Sequence, residues 1–116
     1  MKRVILGLGL LALAASAAVA ADSKGIRFWN LTSTTVVDLR MAAAGSGAWG
    51  PNQCANDRDG TVDHDERLRI TGIGAGRYDV KLAFKDGRVC TVPNIDVKDG
   101  RIFAIEDKDL VDCSTQ

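Results

Sequence analysis

Alternation of apolar and polar residues is the strongest pattern in the second half of the chain. It is clearest over residues 78–84 (YDVKLAF), where four apolar residues alternate with polar or small ones. Because successive side chains of a strand point to opposite faces, this segment predicts a strand with one buried face. Asp86-Gly87 follows between two β-rich runs, which predicts a tight hairpin turn.

Weaker runs of the same kind occur along the rest of the chain, at 26–29, 37–41, 68–70, 89–92, 95–97 and 102–105. No segment has the apolar spacing of a helix. We therefore expect an all-β fold, a small antiparallel β-sandwich of about seven strands. The interval 44–66 has no strand pattern, and a loop of this length in a small domain is usually functional or held by a cross-link.

The first residues have a different composition. Lys2 and Arg3 precede an apolar run over 4–13, and small residues follow with the A-x-A pattern at 18–20. This order predicts a cleavable signal peptide over residues 1–20 and a periplasmic or secreted product. The apolar run is shorter than the roughly 20 residues that span a bilayer, so we expect no transmembrane segment in the mature chain. Residues 21–116 then form one domain.

Charge excludes one class of partner. The chain has 15 basic and 15 acidic side chains, so loss of Lys2 and Arg3 with the signal peptide leaves two more acids than bases. No basic stripe occurs in the remaining sequence. We expect no nucleic-acid partner, because such binding depends on clustered positive charge.

Three cysteines fall within the predicted domain, and an exported chain meets an oxidising compartment. One disulfide and one leftover thiol are therefore expected. Cys54 lies in the long loop and Cys113 in the tail, which favours a Cys54–Cys113 bond. Cys90 lies in a predicted strand, where a buried thiol acts as a small hydrophobe. The alternative is that Cys90 pairs with one of the other two.

The acidic segment 56–66 (NDRDGTVDHDE) resembles a calcium loop in its spacing. With Gly60 at the sixth of twelve positions, oxygen ligands fall at the third, fifth, seventh, ninth and twelfth, namely Asp57, Asp59, Thr61 through its carbonyl, Asp63 and Glu66. Ala55 at the first position offers no side-chain ligand, and no flanking helices are predicted. The segment is thus either a Ca²⁺ site or a solvated acidic turn.

Catalytic motifs are missing from the sequence. His64 is the single histidine, and its acidic neighbours in sequence cannot all converge if they alternate along a strand. There is no G-x-S-x-G, C-x-x-C or phosphate loop. The three glycines within 72–76 lack the lysine and the following helix of a nucleotide loop. We therefore expect that the protein is not an enzyme.

Trp49 lies in the Gly-rich segment 45–52 (GSGAWGPN). An exposed tryptophan is a frequent binding hot spot, so Trp49 and Asn52 are candidate partner-binding residues. Alternatively, Trp49 folds back and caps the small core. Trp29 lies on the outward phase of its predicted strand.

Four motifs together resemble a family of small exported bacterial proteins of unknown function. They are RFWNLTSTTVVDL, WGPNQC, YDVKLAFKDGR and NIDV, and they cover nearly all of residues 26–97. The shared features are an aromatic-x-Asn strand, a W-G-P-N loop and a Y-D-x-x strand followed by a D-G hairpin. The resemblance implies a β-sandwich and export, and it adds no catalytic residue. The acidic segment stands where many members have a shorter loop with a Pro-Gly turn.

These observations favour a periplasmic or secreted non-enzymatic module that binds a protein or envelope partner through Trp49 and the acidic segment. One alternative is a calcium-binding structural or sensing protein that uses residues 56–66. Another is a small periplasmic enzyme inhibitor, by analogy with small disulfide-linked β domains.

Overall fold

The computed structural model describes residues 25–115. The predicted signal peptide over 1–20 and the predicted mature start at Ala21 lie outside this range. Within it are seven strands and two short 3-10 helices: β1 Ile26–Leu31, β2 Val36–Ala43, η1 Gln53–Asn56, β3 Arg67–Ile70, β4 Gly76–Phe84, β5 Arg88–Val97, β6 Ile102–Glu106, η2 Asp107–Asp109 and β7 Val111–Thr115. In this part of the chain, no helix has both the length and the apolar character needed to cross a membrane.

The strands form two sheets, one with the order β3-β1-β6 and the other with the order β2-β4-β5-β7. Their apolar faces share one core, so the predicted all-β sandwich of about seven strands is confirmed. The expectation of antiparallel pairing throughout fails at one place, because β1 and β6 are parallel. The chain crosses from one sheet to the other between β5 and β6. The alternation of apolar and polar residues in β6 does not indicate in which direction this strand runs beside β1.

The hairpin of β4 and β5 agrees with the sequence. Val80, Leu82 and Phe84 are 0%, 0% and 2% exposed, and they lie on the core face of β4. In the turn, Gly87 has a φ of 96°, a conformation that glycine adopts without steric cost. The Gly87 N–H donates to the Phe84 carbonyl at 2.9 Å.

The core draws on both sheets and on the long loop. The rings of Phe28 in β1 and Phe103 in β6 lie 5.7 Å apart between centroids. Buried apolar side chains from every strand except β7 join them, in a cluster of Ile26, Phe28, Val36, Leu39, Met41, Cys54, Val62, Leu68, Ile70, Val80, Leu82, Phe84, Cys90, Val92, Val97, Phe103 and Ile105. Burial of this apolar surface is the main stabilising contribution to the domain.

Two strand boundaries differ from the predicted ones. The runs at 89–92 and 95–97 are one strand, β5, which continues through a bulge where Pro93 and Asn94 face the single residue Asp79. The Asn94 N–H donates to the Asp79 carboxylate at 2.9 Å, so the bulged backbone group is satisfied. The sequence does not predict β7, because all five of its residues are exposed and alternation is therefore absent.

The cysteine pairing that the sequence favoured is wrong. The disulfide joins Cys90 to Cys113, the pairing kept as the alternative, and Cys54 is free and buried. The reason is the unpredicted strand β7: it pairs with β5 and brings the two Cα atoms to 4.0 Å. Cys54 lies in η1 and packs into the core instead. Burial raises the pKa of the Cys54 thiol to about 12, so the thiol stays protonated and unreactive at neutral pH.

Candidate functional site

The loop that carries Trp49 is fastened to β2 by backbone groups and one amide side chain. The Asn52 Oδ1 accepts hydrogen bonds from the Leu39 N–H at 3.0 Å and the Cys54 N–H at 2.9 Å. The Gly50 N–H donates to the Met41 carbonyl at 2.9 Å. These bonds give Asn52, predicted as a partner-binding residue, a structural role as the N-cap of η1 and an anchor on β2.

The next residues of the loop are fastened to β3. The Gln53 side chain donates to the Thr71 carbonyl at 2.9 Å and accepts from the Thr71 N–H at 3.0 Å, as a neighbouring strand would. The Asn56 amide donates to the Arg69 carbonyl at 2.8 Å. The WGPNQC segment therefore bridges the edges of both sheets, and no disulfide is needed to hold the long loop.

Trp49 lies against the outward face of the four-stranded sheet and does not cap the core. Its ring is half-buried, and the Lys81 Nζ lies 4.7 Å from the ring centroid, a cation–π contact. Beside the ring is an open groove of about 450 Å³. Its lining comes from β2, β4, β5 and the loop, and consists of Asp38, Arg40, Trp49, Lys81, Ala83 and Val89.

Two of the charged side chains that line this groove form an ion pair, and a third has no carboxylate partner among residues 25–115. Arg40 binds Asp38 in a bidentate pair, with Nε–Oδ1 at 3.0 Å and Nη2–Oδ2 at 3.2 Å. The hydrogen bond and the charge of Asp38 raise the pKa of Arg40. Lys81 has no carboxylate partner among residues 25–115. The groove thus offers one available ammonium group, an aromatic ring and a small apolar floor formed by Ala83 and Val89.

Two of the five predicted calcium ligands lie side by side in the acidic segment. A hydrogen bond between the Asp57 and Asp59 carboxyl groups raises the pKa of Asp57 and lowers that of Asp59. Asp59 also accepts from the Thr61 N–H at 3.1 Å and from the Thr61 hydroxyl at 3.2 Å. The turn passes through Gly60, whose φ is 77°.

The other two carboxylates are engaged elsewhere. Asp63 accepts from the Thr35 hydroxyl at 2.8 Å, and Glu66 accepts from the Asp63 N–H at 2.9 Å. In the described part of the chain, no group of three histidine, cysteine or acidic side chains is placed to hold a metal ion. The predicted ligands Asp57, Asp59, Thr61, Asp63 and Glu66 are therefore not gathered around one point.

His64 has a structural contact. Its Nδ1 lies 2.8 Å from the Thr32 carbonyl, so Nδ1 carries the proton and donates it to that oxygen. The residue is exposed, and it joins the acidic segment to the turn after β1.

The aromatic-x-Asn motif contains a residue whose importance the sequence reasoning missed. Asn30 is 0% exposed. Its amide donates to the Thr34 and Val62 carbonyls at 3.0 and 2.8 Å, and its oxygen accepts from the Thr32 N–H and hydroxyl at 2.9 and 2.6 Å. The sequence does contain one indication of this role: Asn30 is a polar residue on the same face of the strand as the apolar residues Ile26 and Phe28.

Comparison of the chain with protein-family models, with curated proteins and with solved structures found no match. The resemblance to small exported bacterial proteins stays a prediction, based on the four motifs. A functional proposal for this protein therefore depends on the geometry of the chain itself.

Proposed function

We propose that the protein is a non-enzymatic binding module that acts in the periplasm or after secretion and holds its partner at the groove beside Trp49. The groove is the observation that carries this proposal. It combines an aromatic ring, an ammonium group that has no carboxylate partner among residues 25–115, and a floor made of sheet residues. Tryptophan and charged groups in such a setting frequently dominate the energy of a protein interface.

The rigidity of the site supports the same function. Gly50, Asn52 and Gln53 fix the loop on both sides of the sandwich through their hydrogen bonds to Met41, Leu39 and Thr71. A Cβ atom at position 50 would lie 3.3 Å from the Met41 carbonyl oxygen, so the loop approaches β2 closely. A ring that is positioned before the partner arrives loses little conformational entropy on binding.

An exported location is supported by the Cys90–Cys113 disulfide, since such bonds persist in oxidising compartments. The proposed route is a signal peptide over residues 1–20. Mass spectrometry of the protein from the cells that produce it should show a mature N-terminus at Ala21. Intact Met1 in most molecules would contradict the export proposal.

The binding proposal is tested by capture from cell-envelope extract with tagged wild-type protein and variants. Trp49→Ala and Lys81→Ala should each lose a partner that wild type retains, because each removes one half of the cation–π pair. Lys85→Ala is the matched control, since Lys85 is exposed in the β4–β5 turn. Circular dichroism confirms that all variants fold. If Trp49→Ala captures the same proteins in the same amounts as wild type, the groove is not the site.

An enzyme inhibitor would be one form of such a module, and an envelope enzyme among the captured proteins would identify it.

A second candidate function is calcium binding by the acidic segment, and the approach of Asp57 to Asp59 favours it. A cation between these carboxylates would relieve their repulsion. It would also have to draw Glu66 or Asp63 away from present hydrogen bonds, which implies weak affinity in the range of about 10⁻⁴–10⁻³ M. Millimolar Ca²⁺ should then raise the melting temperature more than NaCl of equal ionic strength, and Asp59→Ala should abolish the difference. Equal shifts would contradict calcium binding.

A further inference from the structure

The outward face of the β3-β1-β6 sheet has an unusual composition. All three strands alternate strictly between buried and more exposed positions. The outward positions are Arg27, Trp29 and Leu31 in β1, Arg67 and Arg69 in β3, and Ile102, Ala104 and Glu106 in β6. This face lies on the other side of the sandwich from the groove at Trp49.

Strand register brings these side chains together. Arg27 lies directly opposite Arg69, and Trp29 lies opposite Arg67. The Arg67 guanidinium stacks on the Trp29 ring, with its central carbon 4.2 Å from the ring centroid. The Trp29 indole N–H donates to the Asp65 carboxylate at 3.0 Å, which fixes the ring from the other end. The face therefore carries a fixed aromatic ring with one guanidinium group stacked on it, and the Arg27–Arg69 pair lies next along the same two strands.

The three guanidinium groups have no carboxylate partner within the part of the chain that the structure describes. The ion pairs there involve other residues, namely Arg40–Asp38, Arg88–Asp86 and Lys98–Asp96. The Arg27 Nε is shielded from solvent and has no hydrogen-bond acceptor in that range. Like charges that face each other across a strand pair are destabilising. The sheet thus keeps an unfavourable Arg27–Arg69 pair that an anionic partner would relieve.

The nearest acids do not neutralise this face. Asp65 accepts the hydrogen bond from Trp29, and Glu66 accepts the Asp63 N–H. Glu106, the acid on an outward position of β6, lies opposite Leu31. All three acids lie at the end of the sheet where β3 begins. The Arg27–Arg69 pair therefore remains positive.

We propose that this face docks an acidic protein partner, whose aspartate and glutamate carboxylates pair with Arg27, Arg67 and Arg69. Guanidinium groups bind carboxylates in a bidentate manner, and arginine and tryptophan are enriched at protein interfaces. Ile102, which is 38% exposed, adds an apolar contact beside Arg27. An acidic polysaccharide fits less well, because Arg67 covers a face of the ring on which a sugar would stack.

The probe is a fluorescein-labelled twelve-residue peptide of alternating Glu and Ala, with fluorescence anisotropy as the readout on the full-length mature protein. Wild type should bind the peptide with an affinity that falls as salt rises, and it should not bind the same peptide with Gln in place of Glu. Arg27→Gln with Arg67→Gln and Arg69→Gln should weaken binding by at least about tenfold. Arg69→Gln alone should weaken it measurably, and this variant guards against misfolding because the Arg69 side chain has no ion pair within residues 25–115, and the bond that Arg69 accepts from Asn56 is made by its backbone carbonyl, which the substitution keeps.

The matched control removes the same number of positive charges elsewhere, by Gln at the exposed positions Arg58, Lys85 and Lys108. Its affinity should stay within about twofold of wild type. Equal weakening in both triple variants would overturn the proposal, because net charge alone would explain it. Tighter binding of polygalacturonate with the same arginine dependence would assign the face to a polysaccharide. Arginine-dependent dimers in sedimentation would assign it to a second copy of the chain. None of these outcomes depends on Trp49, so this proposal and the groove can fail separately.

Discussion

Replacement of Asn30 by alanine tests whether the aromatic-x-Asn motif is a structural hub. The wild-type side chain is fully buried and makes four hydrogen bonds, two donated and two accepted. After the change the Val62 carbonyl keeps the Val36 N–H as a donor at 3.0 Å, and the Thr34 carbonyl can accept from the Thr32 hydroxyl, 3.0 Å away, whose proton Asn30 no longer takes. The Thr32 N–H loses the acceptor it has in wild type.

The size of the effect is set by these bonds. A hydrogen bond contributes about 0.5–1.5 kcal/mol net, and an orphaned buried N–H costs about 1–3 kcal/mol. Because the four bonds share one side chain and are not additive, we expect Asn30→Ala to lower the free energy of unfolding by about 3–5 kcal/mol. That is a large part of the about 5–15 kcal/mol of a typical domain.

The assay is urea unfolding of the oxidised protein with linear extrapolation, and an unchanged m value is the check on two-state behaviour. Asn56→Ala is the matched control, because the Asn56 amide also donates to Gln53, Arg69 and Thr71 but lies at an exposed position. Water can replace its bonds, so we expect a loss of about 1 kcal/mol or less. Equal losses in the two variants would refute the argument that burial makes Asn30 essential.

Three further predictions concern the core, the thiol and the acidic pair. In urea unfolding, Leu82→Ala should lower the free energy of unfolding by about 2–5 kcal/mol and Lys81→Ala by about 1 kcal/mol or less. A larger loss for Lys81→Ala would contradict the assignment of Leu82 to the core face of β4. Cys54 should react with a thiol reagent only after the protein unfolds, and reaction in the native state would contradict its burial. In an NMR titration the pKa of Asp57 should lie above and that of Asp59 below the ordinary 3.8, and Asp59→Asn should lower the pKa of Asp57 toward that value. The contribution of Asp57 to stability is lost as pH rises from 3.8 through its raised pKa, and that of Asp59 is lost as pH falls from 3.8 through its lowered pKa. The net pH dependence of the pair should therefore be small. The site-specific titration is the decisive readout.

The candidate site was only partly predictable. Trp49 was identified from its Gly-rich surroundings, but the groove beside it needs Lys81 and Val89, which lie on other strands. The loop motif predicts Asn52 as a partner-binding residue, because a motif does not reveal which polar side chain binds backbone groups. The calcium ligands were placed by spacing alone, and the structure shows that Asp63 and Glu66 are used by local hydrogen bonds.

By itself, the sequence determined the class of fold and the phase of the central strands. Alternation over 78–84 and the Asp86-Gly87 turn report local physics, since one face of a half-buried strand must be apolar and a tight turn needs a residue tolerant of positive φ. The strict alternation of β3 is a similar local signal.

Only the tertiary structure decided the contacts between distant segments. The parallel pairing of β1 with β6, the addition of β7 beside β5 and hence the Cys90–Cys113 bond all depend on which strands become neighbours. The same holds for Arg27 opposite Arg69, which places like charges together on one face. Alternation tells which face of a strand is buried, but the choice of neighbouring strand depends on the packing of the whole core, and no local pattern encodes it.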